Sequence, residues 1–204
     1  MARILDRLYN LHWVTPEVAR SAQPYLGFYA AYLRPHGFRS LLNLRGENPG
    51  LPWWRADARA AAKLGMKRYD VRLSSRLIPA RESLTALIDA LERAPRPLLI
   101  KCSGGQDRTG LAAAIYLLHA GGTAALREAE AQIAFWPFLH VAKPRQRWLR
   151  HFPRFVAESA KTARISDWLR SDYEPQAFAE WLKARGHRDS FVALQTVKSG
   201  GAKI

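Results

Sequence analysis

Acidic residues are scarce in this chain. Across 204 residues, 17 Asp and Glu stand against 32 Lys and Arg, a formal net charge of +15. Such an excess points to anionic partners: phosphorylated molecules, acidic lipid surfaces or nucleic acid. A background biased toward Arg and Ala accounts for the total equally well, so charge alone assigns no ligand. Cysteine is nearly absent, and Cys102 stands alone. A single cysteine excludes an internal disulfide, argues for a reducing compartment, and leaves no second thiol for an intramolecular redox switch. No apolar run approaches the ~20 residues that span a bilayer. The opening MARILDRLYNLHWVTPE carries charge every few residues and has no apolar signal core, so the expected location is cytoplasmic. His12, His36, His119, His140, His151 and His187 show no metal-ligand spacing, and no metal or other cofactor is expected. There is no internal repeat. With 48% apolar residues, the chain has the composition of a globular protein with a substantial core.

Against these absences stands one dense stretch, KCSGGQDRTG, Lys101 to Gly110. The apolar residues Leu98 to Ile100 precede it and the helical pattern LAAAIYLLHA follows, so the order is strand, glycine-bearing loop, helix. A loop of this kind turns backbone N–H groups inward at a helix N-terminus and attracts an anion. The nucleophilic form of a cysteine is its thiolate, which a helix end and a nearby guanidinium favour. Cys102 is therefore a candidate nucleophile and Arg108, six residues on, a candidate phosphate fork. The N–H groups of Ser103, Gly104, Gly105 and Gln106 would complete the cradle, with the two glycines expected at positive φ. Read blandly, Cys102 is a small buried hydrophobe, a poor match for this loop.

The stretch resembles the signature loop of the cysteine-dependent protein tyrosine phosphatase superfamily, C-x5-R-[ST]. In its CxxGxDRTG form it is similar to bacterial members of the dual-specificity branch, and its DRT ending resembles that of the myotubularin-type lipid phosphatases. The segments RSAQP, Arg20 to Pro24, and SLLNLRGE, Ser40 to Glu47, resemble the N-terminal half of the bacterial enzymes. The likeness covers about residues 15 to 150. It implies a phosphomonoester hydrolase acting through a cysteinyl-phosphate, with Thr109 donating its hydroxyl to the departing thiolate.

The same resemblance implies a general acid, in the dual-specificity family an Asp on a loop about thirty residues before the cysteine. Asp70 has that distance but lies inside the strand-like YDVRL, with Ser74 and Ser75 at the loop position. Asp107, inside the signature loop, matches the acid proposed for myotubularin-like enzymes and ranks slightly ahead; its alternative role is to bond loop amides. Lys101 replaces the histidine that usually precedes the cysteine, so altered tuning of the site is expected. Arg45 and Glu47 follow a buried strand and could bind substrate, brace the loop or form a structural ion pair. Trp53 and Trp54 could flank the pocket, seat at a membrane interface, or be half core and half surface. His140, in FWPFLHVAKP, reads as a packed histidine.

The chain-long pattern alternates strands and helices: strands near VARSAQP, FRSLLNLR, MKRYDVRL and PLLIKC, helices over PYLGFYAAYLRPHG, LPWWRADARAAAKLG, the stretch after Pro79, RTGLAAAIYLLHAGG and TAALREAEAQIAF. This predicts an α/β fold, a mostly parallel or mixed sheet of four to five strands flanked by helices, with the ligand at the strands' carboxyl ends. The catalytic domain is expected over residues 1–155. A helical, basic and aromatic extension should follow over 156–195, and a disordered tail over 196–204. Expected partners are a phosphorylated protein, a phospholipid or an inositol phosphate, with peripheral contact to an anionic membrane and no specific nucleic acid. Two other readings compete: a phosphate-binding module without turnover, and a sulfur-transfer or arsenate-reducing enzyme with a loop cysteine. The intact Cys102, Arg108 and Thr109 disfavour the first. The C-x5-R spacing and lack of further cysteines disfavour the second.

Overall fold

A computed structural model describes residues 2–24, 28–161 and 163–195. The expected tail over 196–204 lies outside the described residues. The chain runs α1 (Ala2–Leu8), β1 (His12–Thr15), β2 (Val18–Ser21), α2 (Tyr29–Leu33), β3 (Ser40–Asn43), α3 (Pro52–Leu64), β4 (Lys67–Asp70), β5 (Leu77–Ile78), α4 (Arg81–Arg93), β6 (Leu98–Lys101), α5 (Asp107–Gly121), α6 (Leu126–Ala131), α7 (Trp148–Ala160), α8 (Ile165–Ser171), α9 (Pro175–Ala184) and β7 (Ala193–Leu194). It is the expected α/β fold.

Five strands form one mixed sheet in the order β1-β2-β6-β3-β4. β6 is central and runs parallel to both neighbours, with Lys101 in register with Ser21 on one side and Asn43 on the other. Every residue of β2, β3 and β6 is buried, which is why their sequences read as continuous runs. β1 pairs antiparallel at the edge. Its HWVT was not separable by sequence from the amphipathic opening, since a half-exposed edge strand carries little alternation. A second sheet pairs β5 with β7 in parallel; two-residue strands leave no period to read.

Side chains of β6 alternate between two cores. Leu99 packs with Ala19, Leu41, Tyr29, Tyr32 and Ala61, under α1, α2 and α3. Leu98 and Ile100 pack with α4, α5 and the C-terminal helices. Helix α5 is buried on nearly all sides, and its Ala112, Ala113 and Ala114 let the sheet and neighbouring helices approach closely. The stretch 107–131 is long and apolar enough to cross a membrane by length and composition, yet α5, which supplies most of it, is this core helix. The helix expected over TAALREAEAQIAF is shorter: residues 122–125 form a 3-10 turn, and α6 ends at Ala131.

The expected boundary between residues 155 and 156 falls inside α7, whose Phe152, Phe155 and Val156 join the same core as Ile100 and Leu111. Trp148, Phe152, Phe155, Trp168, Tyr173 and Phe178 interlock edge to face and tilted, with centroids 4.8–6.3 Å apart. Arg81 at the start of α4 donates to the Tyr173 carbonyl (2.8 Å) and pairs with Glu174, and the Tyr173 hydroxyl donates to the Pro79 carbonyl (2.9 Å). The C-terminal helices thus complete the core.

His151 of α7 stacks on His187, beyond α9, at 4.0 Å between centroids. Burial, then the neighbouring His187 and arginines, lower the His151 pKa to about 4. Below its ordinary value near 6.5 the unfolded chain binds the proton more readily, so this site's contribution is full above pH ~6.5 and fades toward pH 4. His151→Gln should therefore lose less stability than the unsubstituted protein between pH 7 and 5, read from thermal midpoints. Parallel pH profiles would refute this linkage.

Candidate active site

β6 ends at Lys101, and the chain turns through Cys102–Gln106 into α5, whose first residues are Asp107 and Arg108. The site therefore lies at the carboxyl ends of the parallel strands, as expected for an open α/β sheet. The loop's conformation follows from where its carbonyls go. The Ser103 carbonyl accepts the Gln23 backbone N–H (2.9 Å). The Gly105 carbonyl accepts from the Arg20 Nη2 (3.0 Å) and the Asn10 Nδ2 (3.4 Å), and the Gln106 carbonyl from Arg20 Nη2 (3.3 Å) and the Gly110 N–H (2.7 Å). With the carbonyls held outward, the N–H groups of Ser103 to Gln106 are left for the loop's centre; among the described residues none donates elsewhere in the protein. N–H groups left without partners at a helix N-terminus are suited to binding an anion.

Gly105 has φ +68°, and a Cβ there would lie 2.5 Å from the Ala22 nitrogen, so any other residue would both strain the loop and collide with the chain after β2. Gly104 does not have positive φ, contrary to the sequence expectation, and its surroundings are open. Gly110, on α5, is small for packing: a Cβ would meet the Gln132 carbonyl at 2.8 Å and Arg20 at 3.3 Å.

Cys102 is 3% exposed at the base of the loop. The Arg108 guanidinium folds back over the loop, its Nη2 donating to the Ser103 Oγ at 3.1 Å. Thr109 is fully buried, and its hydroxyl has no hydrogen-bond partner among the described residues. A buried hydroxyl without a partner is costly, and a thiolate acceptor would satisfy it. Asp107 is partly exposed, with one carboxylate oxygen 2.9 Å from the Nε2 of the fully buried His140. The packed histidine of the sequence reading therefore touches the candidate acid.

Asp70 does not join this site. It ends β4, pairs with Arg68 (2.9 Å) and accepts from the Asn43 Nδ2 (2.6 Å). Both carboxylate oxygens are thus engaged by neighbours on β3 and β4, and Asp70 does not line the pocket beside the cysteine loop. Asn43 in turn accepts the Arg45 N–H (3.1 Å), so Asp70 braces the loop after β3. Glu47 is exposed and does not line the pocket, and Arg45 makes no pair with it. The pocket beside the loop, about 640 Å³, is lined by Arg108, Arg45, Trp53, Arg72, Arg76 and Gln195, among others. Arg45 lies flat on Trp53, 3.5 Å from the ring centroid, and Trp54 carries Arg68 in the same way at 3.9 Å.

Lys101 is not a substrate contact. It is fully buried, its Nζ 2.5 Å from the Oδ2 of Asp57, itself fully buried on α3. Gln23 joins them: its side-chain oxygen accepts from Lys101, and its Nε2 donates to Asp57 Oδ1 (2.9 Å). Burial lowers the lysine's pKa, and the Asp57 carboxylate works against that shift. Where the family resemblance implies a histidine, this chain ties the end of β6 to α3 by a buried ion pair. Sequence reasoning missed Arg20, Gln23 and Asp57. Arg20 and Gln23 stood in RSAQP, but nothing local showed that they bond the loop. Arg20 is fully buried; burial lowers its pKa to about 9, opposed by Cys102.

Breaking the buried pair leaves one charge uncompensated, whereas removing both does not. Lys101→Met should cost about 3–5 kcal/mol of stability in urea titrations, and the double variant Lys101→Met, Asp57→Leu should recover most of it. A double variant as unstable as the single one would contradict the pairing.

Residues 53–126 match the model of the tyrosine phosphatase family, a span that includes Trp53, the cysteine loop and α5. Among proteins of curated function none matches the chain significantly. Solved structures share the fold at low identity. A mutant form of Tk-PTP aligns with 20% identity over 75% of this chain and 97% of its own, with a TM-score of 0.55. A putative phosphatase from Shewanella putrefaciens aligns with 17% identity over 78% and 99%, TM-score 0.54. Pseudomonas aeruginosa TpbA, in a mutant form bound to phosphotyrosine, aligns with 18% identity over 85% and 93%, TM-score 0.50.

Proposed function

We propose that this chain, whose residues 53–126 match the tyrosine phosphatase family, hydrolyses phosphate monoesters through a cysteinyl-phosphate intermediate formed on Cys102. The observation that carries this reading is the loop itself. The carbonyls of Ser103, Gly105 and Gln106 are bonded to Gln23, Asn10 and Arg20, the N–H groups of Ser103 to Gln106 donate to nothing among the described residues, and α5 begins directly behind the loop.

In the first step the Cys102 sulfur attacks phosphorus and forms the S–P bond as the P–O bond to the leaving group breaks. Arg108 and the loop N–H groups hold the three remaining oxygens and bind the spread charge of the transition state most strongly. Asp107 gives its proton to the departing oxygen, and His140 orients that carboxyl group. In the second step water attacks phosphorus, Asp107 takes back a proton, and the thiolate leaves with the Thr109 hydroxyl donating to it. The reaction balances as ester plus water to alcohol plus phosphate. No group of three or more potential metal ligands is present among the described residues, and no step above calls for a metal.

Phosphotyrosine or phosphoserine on proteins, and phospholipids or inositol phosphates, are the substrate classes this site serves; the phosphotyrosine complex of TpbA supports the first and the arginine-lined pocket the second. A reducing, cytoplasmic setting suits a lone nucleophilic thiol.

Phosphate release measured in the presence of a chelator should persist and should vanish in Cys102→Ser. Asp107→Asn should slow alkyl phosphates by about 10²–10⁴-fold and aryl phosphates, which need no proton, much less. Turnover surviving in Cys102→Ser would overturn the mechanism; equal slowing of both esters would remove Asp107 from the acid's role.

A further inference from the structure

Four arginines, Arg45, Arg72, Arg76 and Arg108, line the cavity beside the cysteine loop, and among the described residues no carboxylate lines it. None of the four has an ion-pair partner among the described residues, although the other ion pairs engage arginines throughout the chain. Like charges gathered in one concavity repel, and the cost falls only when an anion fills it. Arg108 accounts for one phosphate, the one bound in the loop. Arg45, Arg72 and Arg76 are then three cations in excess.

Two observations show that this excess is built. The Arg45 guanidinium is clamped on Trp53, and its Nη1 is buried with no hydrogen-bond partner among the described residues, a donor held in place without an acceptor. The segment carrying Arg72 and Arg76 is fixed from both ends. Arg72 bridges to Arg45, and Ser75 accepts from the Gln146 side chain (3.1 Å). Beyond it, β5 pairs with β7. Gln195, just past β7, bonds the Ile78 carbonyl through its N–H (2.8 Å) and the Ser83 hydroxyl through its side chain (3.0 Å) while lining the same cavity. The C-terminal strand thus pins the arginine-bearing segment against the site.

We propose that Arg45, Arg72 and Arg76 form a second anion subsite, and that the preferred substrate is a compact molecule bearing two phosphate groups. One phosphate sits in the cysteine loop and the other is held by these arginines, as in a bisphosphorylated polyol. This deepens the hydrolase reading, on which it rests, by naming the substrate class of the same site. A soluble bisphosphate and the same headgroup on a lipid share this chemistry. A singly phosphorylated peptide supplies no second group for the subsite.

Binding to the inert Cys102→Ser protein tests this without turnover. Calorimetry with inositol bisphosphate, inositol monophosphate, a singly phosphorylated tyrosine peptide, and phosphatidylcholine vesicles containing phosphatidylinositol bisphosphate gives the required comparison. The bisphosphate should bind at least about tenfold more tightly than the monophosphate or the peptide, as charge-assisted guanidinium bonds would give. Adding Arg72→Ala and Arg76→Ala should shrink that preference to about twofold or less. Tighter binding to vesicles than to the soluble headgroup assigns the lipid source, and equal binding the free one. A peptide bound as tightly as the bisphosphate, equal affinity for mono- and bisphosphate, or a preference untouched by the two substitutions overturns the subsite. Hydrolysis of 4-nitrophenyl phosphate by the unsubstituted protein, measured alongside, separates the two readings. Turnover without the preference refutes the subsite alone, and the preference without turnover supports the subsite and refutes the hydrolase.

Discussion

The site hangs on the buried guanidinium of Arg20. From the middle of the sheet it reaches the Gly105 and Gln106 carbonyls on one side and the Gln132 carbonyl (2.6 Å) on the other, with Phe138 stacked on it at 3.8 Å. Burying this guanidinium is tolerable because both of its Nη groups meet oxygens. The result is that the loop carbonyls face away from the centre, and a peptide unit whose carbonyl points out points its N–H in. The open N–H groups of the loop thus follow from a cation beneath it. The same contact fixes the segment 132–140, and with it the place of His140 against Asp107.

A second buried charge holds the other side. Lys101, Asp57 and Gln23 join the end of β6 to α3 and to the chain after β2, while Asp70 and Asn43 shape the turn that presents Arg45. Around the cysteine loop, then, the charged groups divide into two kinds. Arg20, Lys101 and Asp57 below it are bonded and serve the architecture; Arg108, Arg45, Arg72 and Arg76 above it lack carboxylate partners among the described residues and line the cavity. The C-terminal helices belong to this scheme through packing, since their aromatic residues fill the core under α5 and α4, and β7 completes the cavity wall.

The signature loop was legible because its chemistry is local. Strand, glycine, cysteine, arginine and helix follow one another within about a dozen residues, and the spacing alone brings Cys102 and Arg108 to one mouth. The helix α5 and the buried strands were legible from periodicity and continuous apolar runs. Asp70 stayed a second candidate for the acid because separation along the chain says nothing of which way a strand's end residue turns; its partners Arg68 and Asn43 decide that. Lys101 was expected to tune the site in place of the usual histidine, yet alternation along β6 sends its side chain to Asp57. Strands β1 and β7 escaped because an edge strand and a two-residue strand carry too little pattern.

The sequence by itself determined the fold class, the strand-loop-helix order and the pair Cys102 and Arg108, because each rests on neighbours in the chain and on backbone preferences. Tertiary structure decided which charges are spent and which are free. Arg20, Asp57, His140, Arg72 and Gln195 come to the loop from five separate parts of the chain. A charge acquires its role from whatever stands within hydrogen-bonding reach, and that is a property of packing that no local pattern encodes.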